Sequence, residues 1–560
     1  MDNKEPKNGA YSKDVTKEFS GQENAEELQF GSSTDASLNA ASKSVHNTNK
    51  RGLGKFWLVS VAVVVIAVVS AIIATFTGPQ KNSASQTSSA QVSNKTVSIG
   101  LKLAPTNLDI RNQSGSALEQ LLIGNVYEGL VARNAKNQVV PSLAKSWEIS
   151  KDGLKYTFNM RKGLVFSNGH KLTAKDAEWS FNELIAKKYR GSNMVGNVES
   201  AKAKGDYTFE IKLKEANAKL LWALSSRAGL VFDKLADYNA KTQAVGSGPY
   251  LVEKFVPNDR VVLKANPRYK GANKAKTSKV VVRYFVDDVA AVDALSSGAV
   301  HALAPISGQL AKPFKANSKK YVVKAGNTTD KFVLAMNMNG ERTKDKRVRQ
   351  AIRYAIDHKQ IIASRGGTDA LLGGPIPSLD PGYEDLTNLY PHNVKRAKSL
   401  MKEAGFSEEN PLHLSLTYPN IYGTQLGEQL RSQLKQIGID LKVNVVEFTT
   451  WLHDVYTNKN YDLSMVDHNE SHDFGQWADP KYYYGYNNKQ VQDLYAKAML
   501  CANPKESNKL LAKAARIISQ DAPADWLLNY KVVTAKVKNL DGMPFDINQV
   551  LLPLYDLRLK

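Results

Sequence analysis

Apolar residues alternate with polar or small ones from Val97 to Leu103, which predicts a half-buried strand opening the folded region at Thr96. Ala117 to Leu130 has helical spacing and ends near Gly129. Trp147 to Phe158 reads as a hairpin turning at Lys151-Asp152-Gly153. Thr173 followed by Asp176 predicts a capped helix before Trp179, Phe181 and Leu184. Tyr207 to Leu213 alternates as a strand, Tyr250 to Phe255 and Arg260 to Lys264 form a strand pair, and Val280 to Val286 a further strand before a helix from Asp288 to Ser296.

The pattern changes after about residue 335. Val348, Ala351, Ile352, Ala355, Ile356 and Ile362 recur at helical spacing, and Asn393 to Ala404 is a second helix. Strand Leu412 to Tyr418, a helix capped by Thr424, strand Ile439 to Phe448, helix Thr449 to Tyr456 and strand Tyr461 to Val466 follow in order. Such alternation is the mark of an α/β lobe. Val491 to Ser519 reads as mostly helical, and the last forty residues return to strand-like text.

One run has no periodicity. Residues 56–77, FWLVSVAVVVIAVVSAIIATFT, are free of charge and long enough for a bilayer core, which needs about 20 residues. Residues precede the run in numbers too large for a signal peptide, and no small-x-small cleavage site follows it. A single-pass signal anchor is therefore expected. Lys50, Arg51 and Lys55 on its N-terminal side put the N-terminus in the cytoplasm and the bulk of the chain outside. Residues 1–55, poor in large apolar side chains, are expected to be a disordered cytoplasmic tail, and 78–95 a flexible linker.

The 560 residues exceed one ordinary core and carry a formal charge of +21, all of it beyond the anchor. The bases are scattered singly and no nucleic-acid motif accompanies them, so a domain facing an anionic wall or membrane surface is expected, with no nucleic acid. Cys501 is the sole cysteine, which excludes internal disulfides, CxxC cages and a lipidated N-terminal cysteine. No GxSxG elbow, Walker loop or strand-linked GxGxxG is present, so catalysis is not expected, nor is a cofactor.

Against that basic background, Tyr461 to Tyr486 is acidic and aromatic: YDLSMVDHNESHDFGQWADPKYYYGY. Trp477 and Tyr484 could wall a pocket, or pack in a core with their neighbours. His468 and His472, four apart, could share a metal with nearby carboxylates, or simply line a ligand. HNESH is not the HExxH motif, and Pro480 argues for a loop.

Four blocks, in order, carry a resemblance to a known family. They are VYEGLVARNAKNQVVPSLAKSWEISKDGLKYTFNMRKGLVFSNGHKLTAKDAEWSF (126–181), GSGPYLVEKFVPNDRVVLKANPRYKG (246–271), KDKRVRQAIRYAIDHKQII (344–362), and QLKQIGIDLKVNVVEF with the text onward to YDLSMV. The chain resembles the extracytoplasmic solute-binding proteins of ABC importers that include the oligopeptide- and dipeptide-binding proteins. The resemblance implies an α/β, two-lobed, type II periplasmic-binding-protein fold. Lobe I with an extra subdomain would span 96–334, completed by 526–560, and lobe II would span 335–525. It also implies capture of di- or oligopeptides between the lobes and delivery to permease subunits; with the apolar run at 56–77, a monomer held at the membrane is expected. A nickel or other metal complex is the alternative cargo, and a cell-wall hydrolase a third reading.

In that family the second lobe offers a carboxylate to the ligand's ammonium, as a buried ammonium requires. This chain departs from the usual W-x-x-D-x-x-D-P text, and Asp473, Glu470 and Asp467 all stand as candidates. The segment after the first strand and the Gly-rich turn add Asn107, Ser247 and Gly248, and Trp451 is a further wall candidate. Arg353 and Asp357, i and i+4, are expected to pair on the surface.

Overall fold

The computed structural model describes residues 93–546 and 551–560. The expected tail, the anchor at 56–77 and nearly all of the 78–95 linker lie outside the described residues. Among the described residues no helix is long and apolar enough to cross a membrane.

One ten-stranded sheet runs through the described chain. Its strands, in chain order, are β1 (Ser93–Leu101), β2 (Tyr250–Val256), β3 (Arg260–Ala265), β4 (Thr277–Tyr284), β5 (Ala302–Ala304), β6 (Tyr321–Met336), β7 (Leu412–Pro419), β8 (Ile439–Val446), β9 (Leu463–His468) and β10 (Ala524–Val537). Their spatial order is β8-β7-β9-β6-β10-β5-β1-β4-β3-β2. β6 and β10 hold the sheet together. They pair antiparallel from Tyr321 opposite Val537 to Ala335 opposite Ala524, and the register shifts between Asn327 and Lys331. Such a shift bends a strand pair. Strands β5 to β2 build lobe I on one side of the bend, and the parallel strands β9, β7 and β8 build lobe II on the other. The expected boundary at 334/335 therefore falls inside β6.

The cores follow from strand periodicity. Phe332, Leu334 and Met336 turn to one face of lobe II, among Ile352, Leu416, Leu430 and Met465. Val333 and Ala335 turn to the other, among Trp451, Val466, Trp477 and Trp526. Lobe I packs Ile99, Leu263, Val282 and Leu303 about its own sheet. Residues 130–231 form a subdomain with a separate core under a four-stranded antiparallel sheet. The Thr173 capping box forms as predicted.

Several elements differ from expectation for local reasons. β1 starts at Ser93, before Thr96. The helix expected to reach Leu130 stops at Leu122, and Gly124 follows with φ 75°. Helix 346–355 ends at an extended Ile356, and Asp357 caps a new helix from His358 by accepting from the Gln360 amide. Thr424 precedes its helix without a side-chain cap bond. Arg353 is not on the surface. It is 3% exposed, pairs with Asp525 at 3.2 Å and donates to the carbonyls of Ser519 and Gly373. The i+4 spacing on its helix said nothing of Asp525, which arrives from β10.

The Gly-Ser-Gly-Pro turn belongs to lobe I packing. A Cβ at Gly246 or Gly248 would lie 2.0 Å from the Val126 carbonyl or 2.6 Å from that of Asn125. Ser247 is 3% exposed, and its hydroxyl donates to Glu128 at 3.0 Å, so the expected ligand roles of Ser247 and Gly248 give way to an internal one. The Tyr269 hydroxyl donates to the other Glu128 oxygen at 2.8 Å. Burial pushes the Glu128 carboxyl up to about 7, against these two bonds. A raised carboxyl favours the protonated fold, so its contribution is complete below the ordinary value of 4.5 and is lost as pH rises through about 7. Glu128→Gln, a neutral isostere, should flatten that loss. Melting curves across this range should show the variant more stable than the parent above pH 7, by roughly 3 kcal/mol.

Candidate functional site

The candidate site forms where β6 enters lobe II. Lys331, the first residue past the register shift, stands opposite His468 in the ladder and is 1% exposed. Its ammonium lies 3.0 Å from Asp473 Oδ2 and donates to the carbonyls of Thr329 at 3.1 Å and Glu470 at 2.9 Å. Burial acts to lower this ammonium, but Asp473 and Asp380 overcome it and hold Lys331 above its ordinary value. It is a fixed buried cation.

Asp380, on the loop between helices 358–364 and 394–403, is the second anion. It accepts from the Ser471 hydroxyl and, at 2.9 Å, from the His472 amide. The subdomain meets it there. Asn137 lies at the tip of the hairpin formed by 131–133 and 139–141, with φ 58°. Its amide donates to Ser471 Oγ at 2.9 Å, Leu379 O at 3.2 Å and Asp380 Oδ1 at 3.3 Å. Trp222 stacks on His472 with 4.4 Å between ring centroids, and Lys219 donates to the His472 carbonyl at 2.8 Å. The Ala218 amide reaches Met499 O at 2.8 Å. These contacts join the subdomain to lobe II directly.

Arg133 lies on the same hairpin and is 7% exposed. Its Nη1 donates to Asn137 Oδ1 at 3.0 Å, and its guanidinium sits 5.1 Å from the Trp222 ring centre. Burial brings it down to about 10, opposed by Glu119 and Asp380, so it stays charged at neutral pH. His472 is pushed well below its ordinary value by burial, then by Lys219, Arg133 and Lys331, and is neutral.

The candidates from the acidic stretch separate. Asp473 is in the site but already paired. Glu470 is exposed beside it. Asp467 lies on β9 with its side chain on the Phe332 face, away from Lys331, because the loop expected after Val466 is strand to His468. It is held well above the carboxylate range by burial and by Asp330. His468 and His472, expected together on a metal or ligand, are used apart. His468 is buried beside the Tyr483 and Tyr484 hydroxyls at 3.1 and 2.9 Å, and burial brings it down to about 3. Among the described residues no group of three or more His, Cys, Asp or Glu is placed to hold a metal.

The aromatic candidates are core rather than wall. Trp477 and Tyr484 stack at 4.2 Å and are 1% and 0% exposed. Trp451 is fully buried and donates to Ser464 Oγ at 2.9 Å. Asn107 closes a local turn, accepting from the Asp109 amide at 2.9 Å. The residues missed by sequence reasoning are Lys331, Asp380, Asn137, Arg133, Lys219 and Trp222. A lysine inside the apolar strand text TTDKFVLAM was the one local signal.

The buried pair carries a stability test. Lys331→Met should leave Asp473 and Asp380 without their cation and cost about 3–5 kcal/mol in urea unfolding. Lys331→Met with Asp473→Leu should recover much of that loss.

The chain matches the model of bacterial extracellular solute-binding proteins, family 5 (middle part), over residues 138–492. A Brucella ovis protein carrying the name of an ABC transporter peptide-binding protein is 29% identical over 346 residues, 59% of this chain and 65% of its own length. The chain thus matches less than two thirds of that relative. The glutathione-binding protein GsiB of Shigella flexneri is 24% identical over 453 residues, 77% of this chain and 88% of its own. The DppA binding protein of Helicobacter pylori, solved with the peptide STSA, superposes with a TM-score of 0.64 at 24% identity, over 83% of this chain and 98% of its own.

Proposed function

Because the chain belongs to the bacterial extracellular solute-binding proteins of family 5, we propose that it captures peptides between its two lobes and hands them to the permease of an ABC importer. A substrate-binding protein of such a transporter is not an enzyme, and its binding domain works outside the cytoplasm. The observation that carries the reading is the junction at the β6 bend. There a polar hairpin tip from the subdomain, Asn137, fits between Asp380 and Ser471 of lobe II. In this reading the bent pair of long strands linking the lobes acts as the hinge, and contacts of this kind hold the lobes together when closed. The peptide assignment is supported by the names of the relatives.

The ammonium end of a peptide would then be met by Glu470, the exposed member of the three candidates, since Lys331 already neutralises Asp473. Residues 56–77 would tether the receptor as a single-pass anchor, with 1–55 in the cytoplasm and 78–95 as a flexible linker. The tether keeps a monomeric receptor near its permease at high effective concentration.

Calorimetry of the full chain in detergent against a library of short peptides tests this. Binding of at least one peptide class is expected, and Asn137→Ala should weaken it about five- to tenfold, the worth of about 1 kcal/mol of hydrogen bonding at closure. No binding by any peptide, with tight binding of a sugar or a metal chelate, would overturn the assignment.

A further inference from the structure

Arg133 presents an unusual edge. A guanidinium has one side-on fork, formed by its Nε and one terminal nitrogen, that matches the two oxygens of a carboxylate. In Arg133 the nitrogen bonded to Asn137 is Nη1. Both Nε and Nη2 are buried and have no acceptor among the described residues, and neither has the Nε1 of Trp222, whose ring lies 5.1 Å from the guanidinium carbon. Three buried donors of two neighbouring side chains thus lack acceptors at one place, and buried donors are rarely left so.

The surroundings favour an anion. Lys219 and Lys331 flank the same contact region through His472 and Asp473. Of the two carboxylates whose charge acts on Arg133, Glu119 is paired with Arg227 at 2.7 Å, and Asp380 is engaged by Ser471, the His472 amide and Asn137. Asp473 is engaged by Lys331 and by Gln476 Nε2 at 2.8 Å. The acidic groups here are internally matched, whereas the donors of Arg133 and Trp222 are not.

We propose that Arg133, through its Nε–Nη2 edge and with Trp222 Nε1 beside it, binds a carboxylate of the cargo at the junction of the subdomain and lobe II. The chain thereby selects solutes by their anionic end. A free ammonium contributes less, because Lys331 already occupies the position beside Asp473 that an ammonium would take. The inference rests on the solute-receptor reading above and specifies its ligand class.

Calorimetry on the full chain, using trialanine, its C-terminal amide and its N-acetyl form, tests the proposal. The acid should bind at least tenfold tighter than the amide, and N-acetylation should cost less than amidation. Arg133→Gln should abolish the preference for the acid while its unliganded melting temperature stays level or rises, since a buried charge is removed. Arg133→Lys should keep a reduced preference, and it carries the test alone if Arg133→Gln does not fold. An amide that binds as tightly as the acid, or a preference that survives Arg133→Gln, overturns the proposal. If none of the three peptides binds, thermal shifts with glutarate and glutaramide decide. Stabilisation by the diacid alone, lost in Arg133→Gln, upholds the carboxylate site and ends the peptide reading. No effect of glutarate on the parent protein overturns the site itself.

Discussion

A lysine ammonium held out of water needs every one of its donors matched, and Lys331 meets that need where the two lobes part. It stands at the first residue beyond the β6 register shift and gathers Asp473 and the Thr329 and Glu470 carbonyls. The lobe II end of the β6 bend and the loop after β9 are thereby drawn to one point. The loop after β9 cannot move far without uncovering a buried charge, which is costly. Once this loop is fixed, Ser471 and His472 are positioned for Asp380, and Asp380 for Asn137. The contact between subdomain and lobe II thus depends on an ion pair that lies wholly within lobe II.

The pair also changes how the acidic stretch should be understood. Its excess of carboxylates suggested a receptor for positive charge. Lys331 is paired with Asp473 of that stretch, Asp380 beside it is engaged by Ser471, the His472 amide and Asn137, and Arg133 and Lys219 arrive from the subdomain. What the junction offers to a bound molecule is therefore set by which groups are already paired, rather than by the net charge of one segment.

Local order was legible where one segment decides its own structure. The Thr173 box, the 208–213 alternation and the hairpin turn at Gly153 needed only neighbours in sequence. The two-lobed fold was legible through the four family blocks. The site was not, because its partners come from remote segments: Asn137 and Asp380 are 243 residues apart. Asp467 and His468 were misplaced for a different reason. Polar residues at a strand end look like loop, yet His468 is matched by tyrosine hydroxyls that sequence text cannot align with it. The aromatics misled similarly, since Tyr484 and Trp451 have polar tips that find partners inside the core.

The central claim is that this chain works by closing two lobes on a peptide-like solute, and the distance between the lobes tests it most directly. Lys151, on the hairpin turn, and Lys505, at the start of helix Pro504–Asp521, are exposed on either side of the junction, where Gly153 approaches Ala502. Spin labels at both positions, in full-length protein with Cys501→Ser, would report that separation by electron double resonance. Without cargo the distribution should be broad or long, and it should collapse to one short distance when a peptide shown to bind is added. A single distribution, unchanged by a bound peptide, would contradict the claim.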